Sequence, residues 1–146
     1  MTTSQRASAK AVFDSPDELL GAVGRDLGVT EWAAVDETGV RNFLKATGSP
    51  AHSNGTVPPL MILSWTNRFL PDLLEVRGVS SGVNYGAGTV RFPAAVHEGQ
   101  RIRASARLSD ASEVPGGVQT TVEITVEAEG STEAVCVVES LSRWMR

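Results

Sequence analysis

Leu60-Met61-Ile62-Leu63-Ser64-Trp65-Thr66-Asn67-Arg68-Phe69-Leu70-Pro71-Asp72-Leu73-Leu74 is the stretch on which the fold turns. Leu60, Met61, Leu63, Ser64, Trp65, Phe69, Leu70 and Leu73 place apolar or small groups over most of a helix circumference. The expectation is a helix over about 60–74, buried on most sides, because a one-sided stripe would leave half of these residues wet. Pro71 has no N–H and crowds the preceding turn, so the helix should end or kink near Leu70.

On the C-terminal side the hydrophobic period changes to two from Val79 onward. Ile102, Ala104, Ala106 and Leu108 alternate with Arg101, Arg103, Ser105 and Arg107. Val118, Thr120, Val122, Ile124, Val126 and Ala128 alternate with polar residues in the same way. Alternation of this length predicts antiparallel strands with one wet face. Pro115-Gly116-Gly117 and Glu129-Gly130-Ser131 read as the turns between them, and Ala134–Trp144 as a last strand with a nearly continuous apolar first half.

On the N-terminal side two further helices are expected. The first opens at Ser15 as N-cap with Pro16 and Glu18, carries Leu19, Leu20, Val23 and Leu27, and stops at Gly28. The second is capped by Asp36, buries Val40, Phe43, Leu44 and Thr47, and closes at Gly48. Residues 49–59, with three prolines and a glycine, read as loop. The fold class is therefore α+β, with an antiparallel sheet wrapped around one long central helix. A single small sheet has a face left to cover, so a homodimer that extends the sheet is expected. Residues 1–12 read as a flexible N-terminus and 13–146 as one domain.

Composition narrows the function classes. The chain has 146 residues, a net charge of −4 and no basic run, a poor footprint for nucleic acid or anionic lipid. Mean hydropathy is −0.06, and the apolar run Leu60–Leu63 is far too short to cross a bilayer. The polar segment Met1–Lys10 lacks the apolar core of a signal peptide, so a cytoplasmic protein is expected. Cys136 is the single cysteine, and no Cys/His cluster is present, so neither a metal nor a cofactor is expected.

One segment is more specific. Asn84-Tyr85-Gly86-Ala87-Gly88-Thr89-Val90-Arg91-Phe92-Pro93-Ala94-Ala95-Val96-His97-Glu98-Gly99 resembles the "NYG-x-x-x-VRFPAPV-x-x-G" stretch of MaoC-like (R)-specific enoyl-CoA hydratases, in the NodN-like branch. Phe43–Gly48 (FLKATG) resembles the helix end before that family's catalytic loop, and the resemblance runs from about Phe13 to Trp144. It implies a hotdog fold, a dimer, and acyl-thioester or acyl-chain substrates. The family's hydratases follow "TG" with Asp-x-Asn-Pro-x-His and, later, His-Gly. Here Ser49 stands at the Asp position, Asn54 at the His position, and Pro59-Leu60 replaces His-Gly. Hydration needs a base and an acid of suitable pKa, which serine and asparagine do not supply near neutral pH. His52 lies two positions early, in a loop shorter than the family's; Asp72 and Glu75 are candidate carboxylates but read as exposed.

The site candidates follow. Met61, Trp65 and Phe69 recur at spacing four on the central helix, where they either belong to the core or shape an apolar pocket. Ser64 should bond back to the preceding turn. Tyr85, the single tyrosine, packs on its strand or donates its hydroxyl into the pocket. Asn84 and Arg91 read as structural, Cys136 as a small core hydrophobe, and His97 as exposed.

Three functions compete. One is an enoyl-thioester hydratase or dehydratase using His52. The second is a non-catalytic acyl-binding module. The third is a cofactor-free, polyketide-tailoring cyclase that folds a polyene or macrolactone in an apolar pocket. An intramolecular cycloaddition needs shape, desolvation and a hydrogen bond to a carbonyl, with no proton transfer. The missing acid and base favour this third reading. In it Trp65, Tyr85 and His52 act on the substrate, and Met61, Phe69, Ser64 and Asn54 line its pocket.

Overall fold

The computed structural model describes residues 6–50 and 55–146. In chain order the elements are β1 (Ala11–Phe13), a 3-10 turn (Pro16–Gly21), β2 (Asp26–Val29), β3 (Ala33–Ala34), α1 (Glu37–Thr47), α2 (Pro59–Leu73), β4 (Leu74–Val76), β5 (Ser81–Arg91), β6 (Arg101–Val114), β7 (Gly117–Ala128) and β8 (Ala134–Met145). The main sheet runs β2-β6-β7-β8-β5 with β3 beside β6; all its pairings are antiparallel. β1 and β4 form a separate parallel pair.

The long strands are where the two-residue period put them. Ile102, Ala104, Ala106 and Leu108 of β6 are buried, as are Val118, Thr120, Val122, Ile124, Val126 and Ala128 of β7. The outward residues form cross-strand partners. Arg103, nearly buried, donates from Nε to Glu127 and lies 4.3 Å from the Trp32 ring centroid. The Arg101–Glu129 pair repeats the arrangement one step along the strands at 2.5 Å. Both turns fall where glycine and proline mark them, with Gly116 at φ 83° and Gly130 at φ 81°.

The N-terminal half differs from expectation. Residues 15–28 are not one helix. Ser15 holds the N-cap position without a side-chain bond, while Glu18 accepts from the Asp14 N–H at 2.8 Å. The helix ends as a six-residue 3-10 turn, and Leu27 and Gly28 belong to β2. Gly28 is a bulge residue at φ 99°, and Ser8 crosses so close that a Cβ there would stand 1.9 Å from its Oγ. Ser8 exchanges hydrogen bonds with Val29, and Ala11–Phe13 pair with β4, so the fold takes in residues ahead of the expected boundary at 13. α1 is as read, with Asp36 accepting from the Gly39 N–H at 2.7 Å and Gly48 at φ 66°. Thr47, expected on its buried face, is exposed and bonds back to the Phe43 carbonyl.

α2 packs on one face of the sheet, against β6 and β8. It carries on through Pro71 to Leu73, where the missing N–H affects only the last turn. Its burial is the main correction. Met61, Ile62, Thr66, Phe69 and Leu73 face the core, but Leu60 is 63% exposed, and Ser64 and Asn67 face outward. Half of the helix is wet in the single chain. That wet half adjoins β5, the sheet edge, whose residues from Ser81 to Thr89 are all exposed.

Candidate functional site

The wet face of α2 and the edge strand β5 enclose an open groove of about 400 Å³. Leu60, Leu63, Ser64, Thr66 and Asn67 line it from the helix, Asn84, Tyr85, Gly86 and Ala87 from β5, and Val138 and Ser140 from β8. Positions 60, 63, 64 and 67 share one helical face, which explains how four residues reach one wall. On the strand, neighbours ordinarily point to opposite faces. A bulge between Asn84 and Gly86 breaks that alternation and brings both Asn84 and Tyr85 to the groove.

The polar groups of the groove are neutral. Ser64 donates to the Met61 carbonyl at 2.6 Å, as expected, and Thr66 donates to the Leu63 carbonyl at 2.7 Å. Asn84 donates from Nδ2 to Oδ1 of Asn67 at 3.0 Å, linking strand to helix. Tyr85 is 54% exposed, and the Arg143 guanidinium sits 3.9 Å from its ring centroid. No carboxylate or imidazole lines the groove among the described residues.

The remaining candidates are dispersed. Trp65 and Met61, with Val35, Val57, Ile62 and Ile102, surround a small dry gap on the core side of α2. Trp65 is half-buried, edge-on to Phe69 at 6.0 Å and under the Arg68 guanidinium at 4.5 Å. Met61 and Phe69 are 4% and 2% exposed, inside the core. Ser64 and Tyr85 thus share the groove; Trp65, Met61 and Phe69 do not line it. His52 and Asn54 lie outside the described residues.

Glu75 is no free base. Arg77 and Lys10 pair with it, and the Arg77 hydrogen bond holds its carboxyl below the usual glutamate range. Asp72 is exposed. Cys136 is buried in β8, and burial pushes its thiol up to about 11. His97 is exposed at the β-bridge with Thr56. Among the described residues no group of three His, Cys, Asp or Glu side chains could hold a metal ion, and no helix is long and apolar enough to cross a membrane. Sequence reasoning missed Leu60, Leu63 and Asn67 as groove residues and read Asn84 as purely structural. The 60/63/64/67 spacing was the available signal.

No family model matches the chain. It is 35% identical over 147 residues to the 3-hydroxyacyl-thioester dehydratase Z of Mycobacterium tuberculosis, covering 91% of this chain and 97% of that protein. It is 29% identical to nodulation protein N of Rhizobium leguminosarum, over 73% of this chain and 76% of that one. Among solved structures, a monoamine oxidase regulatory protein from Archaeoglobus matches with a TM-score of 0.75 at 16% identity, covering 95% of this chain and 99% of that one. The R-hydratase PhaJ1 of Pseudomonas aeruginosa matches at 0.66 and 13%, over 85% of this chain and 82% of that one. These two carry the fold alone, a hotdog of sheet and central helix. With the dehydratase relative aligned over nearly its whole length, the chain belongs to the MaoC-like dehydratase family, in its NodN-like branch.

Proposed function

We propose that this family member takes an acyl chain or acyl thioester into the α2–β5 groove and converts it without a proton-transfer pair, as a cofactor-free, polyketide-tailoring cyclase. The observation that carries this reading is the groove's chemistry: hydroxyl, carboxamide and apolar groups, with no carboxylate or imidazole among the described lining residues. Such a surface orients and desolvates a chain, and hydrogen bonds to a carbonyl lower the energy of a polarised transition state. It does not abstract a proton at neutral pH. Tyr85 is the strand-side donor in this reading. Trp65 and Met61 act from behind, setting how far α2 stands off the sheet.

The working unit is a homodimer. β5 offers eleven residues of edge strand, and an exposed edge of that length is a template for pairing. A second copy pairing β5 to β5 continues the sheet, covers the wet face of α2, and turns the open groove into an interface tunnel.

A second reading, hydration or dehydration of an acyl thioester with His52 as the proton-transfer group, is favoured by the 35% identity to a protein named as a dehydratase. The two readings separate on one incubation. A linear polyene thioester should give a product of unchanged mass and altered absorbance, and Tyr85→Phe should slow its formation about tenfold or more. A product heavier by one water, lost in His52→Ala, would instead establish the second reading.

A further inference from the structure

We propose that Asn67 is the group that recognises the substrate's carbonyl, held with its N–H donors free for the groove by Asn84. The inference rests on the acyl-binding reading of the groove and adds the residue that sets its polarity.

A carboxamide has one acceptor end and one donor end. The Asn84 Nδ2 donates to the Asn67 Oδ1 at 3.0 Å, so the acceptor end of Asn67 is engaged by the strand. Its Nδ2 donors have no protein partner among the described residues, and Asn67 is exposed on the groove wall. The other polar side chains on that helix wall are already committed as donors. Ser64 gives its hydroxyl proton to the Met61 carbonyl, and Thr66 gives its own to the Leu63 carbonyl. What they offer a ligand is lone pairs. Asn67 is therefore the one side-chain donor on the α2 side of the groove among the described residues, one helical turn from the apolar Leu63 and two from Leu60. A carbonyl oxygen on an otherwise apolar chain matches that wall. A ligand with no acceptor would leave the Asn67 donors unpaired where the chain displaces water.

Asn84 is the positioning residue. If Asp replaces it, position 84 only accepts, so Asn67 must turn its amide round to donate across to the strand. The groove then faces an acceptor at Asn67 although Asn67 itself is unchanged.

The test uses two probes of equal length that share the acetamide group, S-decanoyl-N-acetylcysteamine (a thioester) and S-decyl-N-acetylcysteamine (a thioether, which lacks only the thioester carbonyl). Binding to the full chain is read by calorimetry. The wild type should prefer the thioester by about tenfold, the yield of one good hydrogen bond to a carbonyl. Asn67→Leu and Asn67→Asp should both lose that preference, and Asn67→Leu, which leaves no donor unpaired, should bind the thioether at least as tightly as the wild type does. Asn67→Asp keeps the bond from Asn84, so it guards against a folding defect. Asn84→Asp should also abolish the preference; a merely structural role for Asn84 would weaken both probes alike, and that result would overturn the inference. Equal affinity of the wild type for the two probes, or a preference that survives Asn67→Leu, would overturn it too while leaving the groove as an acyl site. Binding of neither probe by folded wild type would remove the groove reading itself.

Discussion

Gly117 shows how tightly the sheet fixes single residues. It opens β7 opposite Met145, and a Cβ built on it would stand 2.3 Å from the Trp144 carbonyl oxygen. Backbone cannot swing aside as a side chain does, so Gly117→Ala should destabilise the fold by about 1–3 kcal/mol. Urea denaturation checks this, and an unchanged midpoint would show that the strand ends are looser than described. Cys136 gives a pH test. Its thiol is raised from 9.0 to about 11 by burial, so the folded chain keeps a proton that the unfolded chain releases. The contribution is intact below about pH 9 and is lost as pH rises toward 11, so Cys136→Ser should flatten that part of the stability profile. Iodoacetamide at pH 8 should leave the native thiol unmodified and alkylate it in urea. At this scale residues differ in how far their own neighbourhood decides them. Cys136, Ser64 and His97 stand as their local patterns implied, since each is decided by its own strand, turn or loop. Asn67 is not legible locally, because the Asn84 side chain that engages it lies 17 residues away on another element.

Among the elements, β5 and α2 carry the assembly. Val83 is 50% exposed on β5 and Leu60 63% exposed on α2, on surfaces a second copy would cover. Lysine at an edge strand discourages pairing. The Val83→Lys, Leu60→Lys double variant should therefore weaken self-association by about tenfold or more without unfolding the chain. Sedimentation velocity reads the outcome; a variant that associates as the wild type does would place the dimer contact elsewhere. Strands β6, β7 and β8 were legible because a half-buried strand writes its environment into a two-residue period. Residues 15–28 were not, since Leu19 and Leu27 share helical spacing but are buried in different elements, while Leu20 and Val23 between them are exposed. The helix α2 was legible in position and length. Its wet face was not, because periodicity counts apolar residues and does not say whether the same chain or another covers them.

For the whole molecule, the proposed function separates the chemistry from the fold. The chain has the hotdog sheet and central helix of its family. The resemblance read in its sequence sets Ser49, Asn54 and Pro59-Leu60 against the Asp, His and His-Gly of the hydratases, and the proposed chemistry rests on that correspondence. A shared architecture does not carry the reaction with it when the reacting groups are replaced. The most direct measurement is hydration of short- and medium-chain trans-2-enoyl-CoA by folded protein, followed as loss of the enoyl absorbance. The expected result is no turnover above the buffer rate. Robust turnover would contradict chemistry without a proton-transfer pair, and its loss in His52→Ala would show which residue restores it.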